Sequence, residues 1–106
     1  WGTDIDLNSL NSEYFKLGKG ALEYQWLRKN AKHFGFFQPY TSKEKGRKGF
    51  ETEEWHWSYY PLSEGYLDCY LKNENIESLI QDFHGAQFYS KLNIKENYVR
   101  GIEDAY

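Results

Sequence analysis

A single cysteine, Cys69, excludes any disulfide within the 106-residue chain. Its setting, YLDCYL, reads as a small buried residue, with no signature of a catalytic thiol around it. Long apolar runs are missing too: none approaches the ~20 residues that cross a bilayer, and no signal peptide is recognisable. Positive charge is not in excess. The formal net charge is -3, which speaks against a nucleic-acid partner, because such proteins carry a concentrated basic footprint. The one basic cluster, Lys43 to Lys48 (KEKGRK), is interrupted by a Glu and a Gly and reads as a solvated loop. Internal repeats, low-complexity tracts and linkers are absent, and the length suits one domain, since domains run to roughly 100–200 residues.

What is abundant is aromatic. Phe, Trp and Tyr make up 20% of the chain, within an apolar share of 40% and a charged share of 27%. That is enough apolar material for a core and excludes a disordered chain. Tyr and Trp join an apolar body to a polar tip, so they serve cores, carbohydrate surfaces and peptide clefts alike. The count points to a binding surface without naming its ligand.

Periodicity predicts an α+β chain with a small antiparallel sheet and flanking helices. Thr3 to Leu7 alternate polar and apolar, so Asp4 and Asp6 project from one face of a strand and Ile5 and Leu7 from the other. Ala21 to Phe34 read as a helix with Tyr24, Leu27, Ala31 and Phe34 on one stripe, and Gly35 stands where helices commonly stop. Phe50 to Tyr60 (FETEEWHWSYY) alternate again, Trp55, Trp57 and Tyr59 opposite His56 and Ser58, and Pro61 ends the strand. In the last third, Ile76, Leu79, Ile80 and Phe83 form a helical stripe between an Asn73 or Asn75 cap and a Gly85 stop. Asn93 and Glu96 have the spacing of a capping box for one more helix.

Two segments carry chemistry. In Glu53-Glu54-Trp55-His56-Trp57, a Glu stands three residues before a His at the mouth of a strand. That spacing can set a base beside a metal-bound imidazole, as hydrolysis by a zinc-activated water requires. Alone, the same pattern also describes a solvated acidic turn beside a core histidine. In Trp1-Gly2-Thr3-Asp4-Ile5-Asp6, carboxylates on an early strand can ligate zinc or simply be solvated. His33 and His84 sit near predicted helix ends, where a positive side chain suits the dipole. Glu51 and Glu54 read as solvated neighbours of Glu53, and Glu51 shares a strand face with Glu53 and could tune it.

Together the two segments resemble the VanY-type D-alanyl-D-alanine carboxypeptidases, zinc enzymes related in fold to the Hedgehog signalling domain. That family has a first motif Ser-x-His-x-x-Gly-x-x-x-Asp and a second motif Glu-x-Trp-His-Trp or a close variant. Gly2 and Asp6 match the end of the first, and Glu53, Trp55, His56 and Trp57 match the second in order and spacing. The helix ending in His33-Phe34-Gly35-Phe36 and the tail Asn97 to Ile102 are similar to further parts of the family pattern. Two features depart from it. Asp4 stands where the family carries a small residue, and Asp4 shares a strand face with Asp6, so it competes as a ligand. The motif's His belongs seven residues before Asp6, ahead of Trp1, and the family's substrate-binding Arg also lies upstream.

The resemblance implies the C-terminal part of a single Hedgehog/DD-peptidase-like domain over residues 1–106. It implies zinc held by Asp6, His56 and an upstream His, with Glu53 as the general base and Trp57 against substrate. The implied substrates are peptidoglycan stem peptides with D-alanyl-D-alanine ends, which places the protein in the periplasm or outside the cell, at the envelope. A cell-wall L,D-carboxypeptidase or endopeptidase would use the same zinc site. A non-catalytic Hedgehog-like binding module is the rival of another class, and Glu53 weighs against it, since a structural zinc needs no base.

Overall fold

Backbone pairing begins where alternation is strictest. The computed structural model describes residues 1–7, 9–73, 75 and 82–105. Asp4–Asp6 form strand β1, Phe36–Phe37 form β2, and His56–Tyr59 form β3. The sheet order is β1-β3-β2 and both pairings are antiparallel. Asp4 lies opposite Ser58, Ile5 opposite Trp57, and Asp6 opposite His56. The Leu7 amide extends the ladder by donating to the Trp55 carbonyl at 2.9 Å. The expected strand over Phe50–Tyr60 is thus shorter. Residues 50–54 add nothing to this ladder, because the Glu53 amide turns away to the Tyr40 carbonyl at 2.9 Å.

Helix α1 covers Gly18–Asn30 and continues as a tighter 3-10 turn over Ala31–Phe34. Gly35 closes it in the left-handed region at φ 83°, as the sequence predicts. No other residue fits there. A Cβ on Gly35 would meet the Tyr59 ring at 2.7 Å, and L side chains pay for that backbone conformation. Ala31 is buried, but Phe34 is exposed and stacks on Trp26 instead of reaching the core. The 3-10 turn rotates it off the stripe, since 3.0 residues per turn replace 3.6.

Pro61 ends β3 and also starts helix α2, Tyr60–Lys72, which the periodicity reading did not anticipate. A proline is suited to a first helical turn, whose amide has no intrahelical partner. The Tyr60 amide donates to the Gly35 carbonyl, which ties α2 to the end of α1. Cys69 lies on the outer face of α2 and is exposed, not buried. Only one face of a single surface helix can be covered, and Tyr60, Ser63, Leu67 and Leu71 take that face. The predicted helix over residues 76–83 falls mostly outside the described residues. Helix α3, Tyr89–Leu92, ends at Asn93 with φ 50°, and the Asn93 carbonyl then accepts from the Asn97 amide at 2.9 Å as the next turn begins. A five-residue π-turn, Lys95–Val99, follows.

Among the described residues, Phe15, Ala31, Phe37 and Trp57 are buried apolar side chains. Among them lies Gln38, a buried amide with all its contacts made inside the chain. Its Oε1 accepts from the Tyr24 hydroxyl, and its Nε2 donates to the Tyr40 and Glu53 carbonyls. Gln38 therefore holds α1, the segment after β2 and the turn before β3 together. An unsatisfied amide at this depth would cost ~1–3 kcal/mol.

Candidate active site

The register of β1 against β3 decides the site. Side chains alternate across a strand, so Asp4, Asp6, His56 and Ser58 emerge from one face. Asp6 Oδ1 lies 2.7 Å from His56 Nδ1, and Asp4 Oδ2 lies 3.2 Å from His56 Nε2. The Ser58 hydroxyl donates to Asp4 Oδ1 at 2.6 Å. The two residues expected to share a metal are thus adjacent in space although fifty positions apart in the chain. Asp4, expected as a competitor of Asp6, takes the other ring nitrogen.

Glu53 stands on the turn just before β3, held by the Gln38 and Tyr40 backbone contacts described above. Burial raises its carboxyl above the ordinary carboxylate range, and the charge of Asp6 adds to the rise. His56 and Arg47 act in the opposite direction. Both members of the Asp6–His56 pair thus act on Glu53 electrostatically, in opposite directions. A carboxyl shifted up in this way is a stronger base than a solvated one.

Other residues complete the site that motif reading missed. The Tyr40 ring stacks on His56 with centroids 5.1 Å apart and planes 27° apart. Burial raises the Tyr40 phenol above its ordinary value, helped by the charges of Glu53, Asp4 and Asp6 and opposed by Arg47. Behind it, the Arg47 guanidinium lies 5.9 Å from the Tyr40 ring centre. Arg47 donates to the carbonyls of Thr41, Lys48, Phe50 and Gly101. The basic cluster is therefore not wholly solvated: its one arginine is a backbone clamp. Three of these carbonyls belong to its own loop, and the fourth, Gly101, lies 54 positions away, a contact that local spacing does not record.

Two expectations need correction. Glu54 is not a solvated neighbour: its Oε2 accepts from Ser12 Oγ at 2.7 Å, and its carbonyl accepts from Trp57 Nε1 at 3.0 Å. Trp57, expected against substrate, is only 3% exposed and belongs to the core. It neighbours His56 in sequence and so points to the opposite sheet face. Glu51 does reach solvent, where it pairs with Lys43.

An aspartate oxygen and an imidazole nitrogen suit a borderline cation such as zinc. Both bonds to zinc are ~2.0–2.2 Å, so two donors on one ion lie about 3 Å apart. Asp6 and His56 already stand that close, and half of the Asp6 side chain is open to solvent. The residues present fit a zinc ion as two of its ligands. Among the described residues, no group of three or more His, Cys, Asp or Glu is arranged to hold a metal. A cavity of about 700 Å³ runs past Asp4, Tyr40 and Ser58 towards α2 and the tail, and is not lined by Asp6, His56 or Glu53.

A carboxylate, an imidazole and a half-buried glutamate gathered at one end of a sheet have the chemistry of a hydrolytic site. The sequence model of the D-alanyl-D-alanine carboxypeptidase (VanY) family matches residues 1–62, which include every one of these groups. The match covers more than half of the chain, and the chain belongs to that family of peptidases. No curated protein and no solved structure matches it significantly. Among the described residues no helix is long and apolar enough to cross a membrane.

Proposed function

We propose that this chain forms part of a zinc-dependent carboxypeptidase that cleaves D-alanyl-D-alanine-type bonds in peptidoglycan stem peptides. Membership of the carboxypeptidase family supports the reaction class. The observation that carries the site assignment is the 2.7 Å approach of Asp6 Oδ1 to His56 Nδ1, with Glu53 on the turn that leads into the strand of His56. Asp6 and His56 are two of the three protein ligands a catalytic zinc normally takes. The third is the histidine of the first family motif, which has no counterpart among residues 1–106.

Zinc, when bound there, supplies Lewis acidity towards water and the scissile carbonyl. Glu53 takes the proton of the attacking water and returns it to the leaving amine. Tyr40 covers one face of His56 and limits the ring's rotation. Trp57 acts through Glu54, whose carbonyl it holds, so that the turn carrying Glu53 keeps its shape. Action on the cell wall places the protein outside the cytoplasmic membrane.

The test is release of D-alanine from a stem peptide ending in D-alanyl-D-alanine, with zinc supplied and then removed by a chelator. Zinc-dependent release is expected. Release of a larger fragment would redirect the assignment to an endopeptidase. Zinc uptake with no cleavage of any wall peptide would favour a binding module.

A further inference from the structure

We propose that Tyr24 and Gln38 are positioning residues for the active site, the Tyr24 hydroxyl holding the Gln38 amide and that amide holding the backbone of Glu53. The proposal rests on the reading of Glu53 as general base for its catalytic consequence, though not for its geometry.

Both backbone polar groups of Glu53 are committed outside the β1–β3 ladder. Its amide donates to the Tyr40 carbonyl at 2.9 Å, and its carbonyl accepts from Gln38 Nε2 at 3.1 Å. The same nitrogen donates to the Tyr40 carbonyl at 3.1 Å, which closes a triangle among the three residues. A primary amide nitrogen carries two hydrogens, so the two carbonyls use its whole donor capacity. Carbonyls only accept, so the amide fits in one orientation, with Oε1 turned towards α1. There it meets the Tyr24 hydroxyl at 2.8 Å.

Gln38 is buried, so losing the Tyr24 hydroxyl leaves Oε1 without a donor and favours turning the amide off its two carbonyls. Tyr24 is itself held in place. The Phe15 ring meets it edge-on at 6.1 Å, and the Arg28 guanidinium lies 5.7 Å from its ring centre. Asp6 and His56, by contrast, face each other on the β1–β3 ladder, outside the triangle. Loosening the triangle therefore displaces the base and leaves the two metal ligands where they are. Misplacing a reacting group by about 1 Å costs up to about 100-fold in rate.

The experiment compares the wild-type protein with Tyr24→Phe, Gln38→Met and the double variant. Tyr24→Phe keeps the ring and removes only the hydroxyl, while Gln38→Met keeps the length and removes the amide. Release of D-alanine is measured per zinc-loaded molecule, and competition with a chromophoric chelator gives zinc affinity. Hydrogen exchange gives the protection of the Glu53 amide. Gln38→Met should lower kcat about 10–100-fold, and Tyr24→Phe should lower it by less. KM and zinc affinity should stay within a few-fold of wild type, and the Glu53 amide should lose protection in both variants. Because Tyr24 acts through Gln38, the double variant should be no slower than Gln38→Met, whereas independent effects would multiply. A purely structural role would lower stability but leave kcat of the folded, zinc-loaded protein unchanged. That outcome, an equal loss of zinc affinity, or a multiplicative double variant would overturn the proposal. Should Gln38→Met not fold, Tyr24→Phe decides: a lower kcat at unchanged zinc affinity supports the role, and an unchanged kcat overturns it. A wild type that cleaves no peptide would sink the carboxypeptidase reading, while protection of the Glu53 amide would still judge Tyr24 and Gln38.

Discussion

At the scale of single residues, base and ligand should separate cleanly on substitution. Glu53→Gln removes the base but keeps most of the shape, so turnover of a D-alanyl-D-alanine peptide should fall by roughly 10²–10⁴-fold. Zinc content should stay near stoichiometric. His56→Ala should lose metal and activity together, because it deletes a ligand. Equal loss of zinc in both variants would show that Glu53 had been given the wrong role. Glu53 also has a cost without metal. Its folded carboxyl titrates above its ordinary 4.5, chiefly through burial. A raised folded value means that the acid form is favoured by folding. That contribution is present below the unfolded value and is lost as pH rises through the folded one. In the zinc-free protein Glu53→Gln should therefore melt above the wild type at pH 7, with the gap closing towards pH 4. A variant less stable than wild type at pH 7 would contradict this.

At the scale of elements, the site depends on how β3 is delimited at each end. Alternation made the faces of β1 and β3 readable, because Asp4, Asp6, His56 and Ser58 obey the two-residue period. Where β3 begins was not readable, since Gln38 and Tyr40 divert the backbone of Glu53 from the ladder. Its far end leans on Gly35, whose missing Cβ leaves room for the Tyr59 ring. Gly35→Ala should cost about 1–2 kcal/mol for the left-handed backbone alone, and more for the clash. A denaturant titration showing no shift of the midpoint would refute this account of the junction. Helix α2 escaped notice for a plain reason. Its covered stripe of Tyr60, Ser63, Leu67 and Leu71 includes a serine and a tyrosine, so its apolar signal is diluted.

At the scale of the whole molecule, the tail supports the site from behind. The Glu103 amide donates to the Pro39 carbonyl at 2.8 Å, and Thr41 Oγ1 donates to the Glu103 carboxylate at 2.6 Å. Arg47 completes the tie through Gly101 and aligns behind Tyr40. Arg47→Ala should destabilise the protein by about 1.5–3 kcal/mol, the range for hydrogen bonds from a charged group. It should also speed proteolysis of residues 41–50 and the tail. Arg47→Lys should not rescue it, because an ammonium lacks the planar fork that meets several carbonyls at once. Rescue by lysine, read from the same proteolysis course, would reduce Arg47 to a simple charge.

The residues alone determined the α+β class, the helix stop at Gly35, the strand faces of Asp6 and His56, and the family resemblance through Glu53, Trp55, His56 and Trp57. Each is local: a period, a turn conformation or a short spacing, and chain geometry forces such features wherever they occur. Tertiary structure alone decided that Trp57 is core, that Asp4 takes Nε2 while Asp6 takes Nδ1, and that Arg47 and Tyr40 stand behind His56. Those outcomes rest on register and on contacts between segments far apart in the chain. Shifting the β1–β3 register by one residue would have sent both aspartates to the other face. No spacing within either segment records which register is adopted; packing of the whole chain does.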